Sequence, residues 1–386
     1  MLRNDHYQEE ITLSILTLKF KKMKIKKIAL FAFISSLFLV SCDPESSQQT
    51  TYIPLGDYDS GVLVLNQGNF NANNSEISFI SFDLNTLNTS IFSTVNPTLS
   101  LGDTGQDIGF YNQYAYVVLN NTPKIQIINR YTMQNVASIE SGLNNPRYIA
   151  FANGKGYVTN WGDGTDPNDD YIAVINLATN TITTTIPVAE GPERIIENAG
   201  KLYVAHTGGF GYGKTISIIN ETTNAVSSIL VGDVPNEMQI NEGFLWVSCG
   251  GNPSYSGNET AGKIVKVNLA NNTVANTFAY TDVTNHPANL VVYGSFLYYT
   301  KDDGIYKMAL NATALPSTPA FTTTSQGVYG VYSFAIKNNH IYVGDAGNYI
   351  SNGKVFIYSL GTTTPIGTLE KEHTVGVSPT GFYFNQ

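Results

Sequence analysis

Pro146-Arg-Tyr-Ile-Ala-Phe-Ala-Asn-Gly-Lys-Gly-Tyr157-Val-Thr-Asn160 is the stretch that decides how this chain is read, because it returns. It recurs as Pro192…Tyr203-Val-Ala-His206, Pro235…Trp246-Val-Ser-Cys249 and Pro287…Tyr298-Tyr-Thr-Lys301, and in all four the aromatic residue follows the proline by 11 positions. Gly105 to Tyr116 and Val331 to Tyr342 keep that offset without the proline, so one spacing holds six times. Each copy reads as two strands about a short turn such as Asn153-Gly154 or Glu242-Gly243.

The segment after each copy repeats as well. Ile172-Ala-Val-Ile-Asn-Leu-Ala-Thr-Asn-Thr-Ile182 matches Ile216–Val226 and Ile264–Val274, each a strand, an Asn-rich turn and a strand. Units begin at 105, 146, 192, 235, 287 and 331, in steps of 41 to 52 residues. Four short strands in about 40–50 residues are the period of a propeller blade. Residues 61–100 supply a second, third and fourth strand, the last read from Thr89-Ser-Ile-Phe-Ser-Thr-Val95, with no first strand before them. The missing strand is Val377-Ser-Pro379-Thr-Gly-Phe-Tyr-Phe384, with Pro379 in the repeat's proline position. The expected fold is therefore all-β: a seven-bladed β-propeller over residues 61–386, four antiparallel strands per blade, closed by the C-terminal strand pairing into the first blade.

Tyr157-Val-Thr-Asn160 spells the tetrapeptide of the YVTN-repeat β-propellers, which the chain resembles over about residues 61–386. The start of the chain adds a second signature. Lys24, Lys26 and Lys27 precede an apolar run from Ile28 to Val40, too short for a membrane span and laid out as a secretory signal. The run ends in Leu39-Val40-Ser41-Cys42, which resembles a bacterial lipobox and implies lipidation of Cys42. Residues 1–41 are thus read as an upstream segment and signal peptide, with Met23 the expected start, and 42–60 as lipidated cysteine and tether. Together the two signatures resemble the surface propeller lipoproteins of Bacteroidetes. That group includes a cobalamin-capturing lipoprotein of vitamin B12 uptake. The resemblance implies an outer-membrane, outward-facing protein that binds a small molecule, cobalamin among the candidates, for a TonB-dependent transporter.

Charge narrows the partners. After Ser41 the chain keeps 14 basic and 27 acidic residues, a balance of −13, which is the wrong sign for nucleic acid. With Cys42 acylated, Cys249 has no partner, so the core alone must hold the fold.

In a propeller the loops between second and third strands share one face. Here those loops are long, spanning 66–76, 160–170, 206–214, 249–263 and 345–354, while the turns of the other face are short. Each long loop carries an aromatic residue in a Gly/Asn setting: Phe70, Trp161, Phe210 with Tyr212, Tyr255, and Tyr349. Aromatics on polar loops, with no period that buries them, are candidate ligand contacts. Polar residues one and two places after the repeat's proline position are expected to face the channel mouth. Of these, Arg147, Arg194, Glu237, Asn289 and Tyr332 complete the candidate ligand-binding set.

No nucleophile elbow, Ser-His-Asp order, zinc spacing or phosphate loop appears, and no cofactor or catalytic role is expected. Asp163, Asp166, Asp169 and Asp170 crowd one loop without EF-hand spacing, so they read as turn acids rather than calcium ligands. Two alternatives stand beside ligand capture. One is a metal-dependent propeller lactonase or lyase using Asp107, Glu193, Glu237 and Asn289, opposed by Arg147 and Arg194. The other is a non-catalytic surface module that docks protein.

Overall fold

Val62, Leu63, Val64 and Leu65 follow one another in a single strand, and all four are buried. Successive side chains of a strand point to opposite faces, so such a run needs apolar cover on both sides. Leu63 and Leu65 pack with Ile108, Val117 and Leu119 of the next sheet, whereas Val62 and Val64 pack with Tyr342, Val355 and Ile357 of the last. The computed structural model describes residues 53–386 and shows this arrangement all the way round.

Seven four-stranded antiparallel sheets form the ring. Blade 1 has Gly61–Asn66, Glu76–Ser81 and Leu87–Asn88, with Pro379–Asn385 innermost. The inner strands of blades 2 to 7 are Gly105–Tyr111, Pro146–Ala152, Pro192–Asn198, Pro235–Asn241, Ala288–Tyr293 and Ser333–Lys337. Closure follows a defined register, from Gly61 opposite Asn385 to Leu65 opposite Gly381. Asn385 is fully buried, and its amide donates to the carbonyls of Tyr58 and Arg130 at 2.7 Å each.

The aromatic residue of the repeat is the blade-to-blade packing residue. Tyr116, Tyr157, Tyr203, Trp246, Tyr298 and Tyr342 are all at most 2% exposed, and each faces the blade that follows. The core is therefore seven apolar slabs between neighbouring blades rather than one central mass. The short turns take the left-handed backbone that two-residue hairpins require: Asn112, Asn153 with Gly154, and Glu242 with Gly243 all have positive φ.

Blade 1 departs from expectation in one element. Its fourth strand is only Leu87–Asn88, and Ile91–Val95 forms a short helix instead of a strand. Ile91 and Phe92 are buried against Leu63 and Phe79, with Val95 packed beside them. Apolar residues at i, i+1 and i+4 make one helical face, whereas a strand would point Ile91 and Phe92 to opposite sides. Residues 57–60, the end of the expected tether, pack on the ring: Tyr58 sits edge-on to Phe79 at 5.6 Å and its N–H bonds Tyr131 O at 3.0 Å. The signal segment 1–41 and Cys42 lie outside the described residues. Among the described residues no helix is long and apolar enough to cross a membrane.

His206 closes the second strand of blade 4 in the place Asn160 takes in blade 3. It is 1% exposed, with Nε2 2.8 Å from Ser217 Oγ and Nδ1 3.2 Å from Glu190 O. Burial lowers its pKa to about 4, against the pull of the backbone contacts. The folded protein therefore holds a neutral imidazole that the unfolded chain protonates near pH 6.5. The stability it contributes is intact above about pH 6.5 and is lost as pH falls towards about 4, to the extent of about 3 kcal/mol. His206→Asn, the residue its repeat neighbour uses, is expected to flatten the thermal midpoint between those pH values. A variant curve parallel to the wild type would assign the acid loss to other groups.

Candidate functional site

A bulge at the start of the inner strands builds the channel mouth. In blades 2 to 6 the pairing slips between Gly105 and Asp107, Pro146 and Ile149, Pro192 and Ile195, Pro235 and Glu237, and Ala288 and Val291. Blade 1 slips likewise between Leu65 and Asn66. Such a slip frees one or two residues from the ladder and re-aims their side chains, here at the axis. The residue before the inner strand is left-handed at Thr104, Asn145, Gly191, Val234 and Ser378.

These side chains meet around a cavity of about 510 Å³, lined among others by Arg147, Arg194, Glu237, Asn289 and Tyr332. The charges bridge blades. Arg147 grips Glu193 through Nε at 2.8 Å and Nη2 at 2.7 Å, and Arg194 Nη2 reaches Glu237 at 2.8 Å. The two guanidinium groups also stack, Arg147 over Trp161 at 4.2 Å and Arg194 over Tyr148 at 4.1 Å. Asp107 accepts hydrogen bonds from Tyr383 Oη and Ile149 N–H, each at 3.0 Å. Burial raises the pKa of Asp107 and of Glu237, and Arg194 holds both down in part. Burial would lower the Arg147 pKa, but Glu193, with Tyr148 and Tyr332 beside it, raises it overall. Gln106 donates to Tyr148 Oη at 3.0 Å, and Tyr332 Oη donates to Gln67. Asn289 donates to Thr300 Oγ1 at 3.1 Å from a left-handed backbone.

A second hollow lies beside the channel on the loop face. It is a groove of about 430 Å³ walled by Phe210 and Tyr212 of the blade 4 loop and Tyr255 of the blade 5 loop. Phe210 is 76% and Tyr255 86% exposed, so these two rings are not folded back as lids. Trp161 is different: half-buried, it donates Nε1–H to Pro192 O at 3.1 Å and meets Phe210 edge-on at 6.1 Å, joining Arg147 to the groove wall. Tyr349 packs edge-on against Tyr332 at 5.5 Å, and its loop is tied to Asn69 of blade 1. Phe70 is exposed and lines neither hollow.

Asn236 and His286 are not among the expected ligand contacts, yet both line the groove, and Asn236 lines the channel cavity too. His286 bonds Gly250 O at 2.7 Å and Glu259 Oε1 at 3.1 Å, which fixes the base of the Tyr255 loop. A signal for the charge pairs was present in the repeat. Arg147 and Glu193 stand one place, and Arg194 and Glu237 two places, after consecutive unit starts, opposite charges in equal positions.

The acidic loop largely caps its own backbone, although Asp169 Oδ1 is buried without a hydrogen-bond partner. Asp163 caps Thr165, Asp166 caps Asn168, and Asp170, its pKa raised by burial to about 6, accepts from Gly191 N–H at 2.8 Å. Among the described residues no three His, Cys, Asp or Glu side chains group as a metal site. Glu193 and Glu237, suggested for a lactonase metal, are engaged by arginine. Cys249 is buried, and its thiol is pushed up to about 12, so it stays protonated and inert.

Residues 60–383 match the family described as a domain of unknown function, DUF5074. The chain belongs to that family. No curated protein matches it. Among solved structures, the ring is similar to a functionally unknown protein from Desulfotomaculum acetoxidans DSM 771, at 12% identity and a TM-score of 0.60 over 84% of this chain and 98% of that one. It is also similar to candidate 6-phosphogluconolactonases from Bacteroides uniformis ATCC 8492 and Bacteroides fragilis NCTC 9343. For the first the identity is 12% and the TM-score 0.58, over 84% of this chain and 99% of that one. For the second they are 14% and 0.56, over 86% and 99%. At such identities the likeness is one of fold. This DUF5074 propeller thus joins a polar channel to an aromatic groove on a common scaffold.

Proposed function

We propose that this DUF5074 propeller captures a small molecule outside the cell, without turning it over, and passes it to an outer-membrane transporter of the TonB-dependent kind. The supporting observation is the groove of exposed Phe210, Tyr212 and Tyr255 opening beside the polar channel mouth. Rings carried on glycine-rich loops and exposed to water are poor core builders but good contact surface. A preformed concave surface spares a ligand part of the ordering cost of binding. In this reading Cys42 carries lipid and the outer membrane holds the protein with its loop face outward. A corrinoid such as cobalamin is the leading ligand: a wide, flat, amide-rimmed molecule offers faces to the rings and amides to Asn236, Asn289 and Gln106. The arginine–carboxylate pairs argue against the metal-dependent lactonase alternative, since each carboxylate already has a cation.

Calorimetric titration of the purified full chain with cobalamin tests this. Binding at micromolar protein is expected, with Tyr255→Ala and Phe210→Ala each weakening it by about thirtyfold, or roughly 2 kcal/mol. No heat and no spectral change would remove the corrinoid. Binding that survives both substitutions would move the site away from the groove.

A further inference from the structure

Two cations and one anion line the channel cavity: Arg147, Arg194 and Glu237. Asp107 and Glu193, 7% and 8% exposed, lie behind its wall. Each of those two is already held, Glu193 by Arg147 and Asp107 by Tyr383 Oη and Ile149 N–H. A cavity surface of positive balance stands out in a chain of net charge −9, and the walls of a cleft focus such a field on what enters it. The two arginines are not spent alike. Arg147 gives Glu193 two aligned hydrogen bonds, from Nε and Nη2, and its side chain is 16% exposed. Arg194 is 32% exposed and meets Glu237 through Nη2 alone, so Nε and Nη1 have no acceptor among the described residues. No nitrogen of Arg194 is among the buried polar atoms that lack a partner, so its unspent N–H groups open on the cavity. Tyr148 lies beneath that guanidinium at 4.1 Å. Its hydroxyl accepts from Gln106 Nε2 at 3.0 Å and gives its own hydrogen to no acceptor among the described residues. Burial pushes this hydroxyl up to about 12, with Arg194 pulling the other way, so the hydrogen stays on. Guanidinium and hydroxyl are thus neighbouring donors without acceptors, and Glu237 beside them has a second donor of its own in Met238 N–H at 3.1 Å.

We propose that Arg194 and the Tyr148 hydroxyl form an anion site inside the channel, which takes a carboxylate or phosphate group of the captured molecule. The proposal rests on the capture reading above and narrows it. The molecule has a flat apolar part for Phe210 and Tyr255 and an anionic end for the channel. Asn236 and Ala288 line both hollows, so the two adjoin. The planar fork of a guanidinium matches the oxygens of either anion, and bonds between two charged groups are the strong ones. Glu237 holds the guanidinium in place while the site is empty and competes with the anion when it is filled.

Benzoate, phenyl phosphate and neutral benzamide share a ring and differ in the group it carries, and NMR titration of the full chain at millimolar probe compares them. The better of the two anions is expected to bind at least about tenfold more tightly than benzamide, and the anion that wins tells carboxylate from phosphate. Arg194→Met should abolish the preference. Tyr148→Phe removes only the hydroxyl and should reduce the preference about fivefold; it keeps the test open if Arg194→Met, with Glu237 stranded, does not fold. Glu237→Gln should raise the preference, because the guanidinium loses its competitor, whereas a pair that only staples the blades would show no gain. Benzamide binding as tightly as both anions, a preference that survives Tyr148→Phe and Arg194→Met, no gain in Glu237→Gln, or no binding of any probe overturns the anion site. Those results leave the groove standing if cobalamin still binds and Tyr255→Ala weakens it. Absence of cobalamin binding with the anion preference intact removes the corrinoid and leaves the channel site.

Discussion

Deleting residues 379–386 is expected to make the ring aggregate. The loss removes the whole inner strand of blade 1 and exposes the edge of Gly61–Asn66, an uncovered template for pairing with other chains. It also strips Phe382 and Phe384 from Tyr342, and leaves buried Asp107 without the Tyr383 hydroxyl. Apolar side chains lose about 1.5–3 kcal/mol each when stripped from a core, so the two rings alone forfeit a large share of the roughly 5–15 kcal/mol an ordinary domain has in reserve, before the lost strand ladder is counted. Size-exclusion chromatography and thermal scans should show aggregates and no cooperative transition near the intact protein's midpoint. A separate peptide of residues 377–386 should restore part of both. An unchanged midpoint in the truncated protein would show that the ring does not depend on this strand.

The second large effect is at the channel. Arg147→Met should cost about 3 kcal/mol, because it leaves the Glu193 carboxylate, 11% exposed, without its two charge-assisted bonds. The double variant Arg147→Met with Glu193→Met should regain most of that, since no charge is then stranded. Denaturation midpoints measure both. Titration of the double variant separates two roles for the pair: retained ligand affinity makes it a staple between blades 3 and 4, and lost affinity makes it a ligand contact. A single variant as stable as wild type would mean that Glu193 finds water or another donor.

Much of the ring was legible because one spacing carried it. The 11-residue offset from proline to aromatic joins the start of the inner strand to the buried packing residue of the second strand, and a closed ring tolerates little variation there. Closure was legible because the chain's two ends lacked complementary pieces. The helix Ile91–Val95 was not, since its apolar residues suit either state until Leu63 and Phe79 choose one face. The site was legible in parts. Loop aromatics stood out by composition, but whether a ring faces water or lies under an arginine depends on a neighbouring blade, and Trp161 and Tyr255 look alike in sequence. Asn236 was not legible as a lining residue, because the repeat sets a polar residue there in most blades and only the assembled ring shows which hollows it borders.

The docking of residues 57–60 has a mechanical consequence. Tyr58 is clasped by Tyr131 O and by the Asn385 amide, on the side of the ring where the hairpin turns lie, opposite the groove. Tension from the amino-terminal side meets this clasp first. Behind it, Gly61–Asn66 is flanked by partners along both edges, Glu76–Ser81 and Pro379–Asn385. Load reaches that strand along its length and must shear two ladders at once instead of unzipping one. The chain's own seam thus doubles as a shear clamp, set on the face away from the groove.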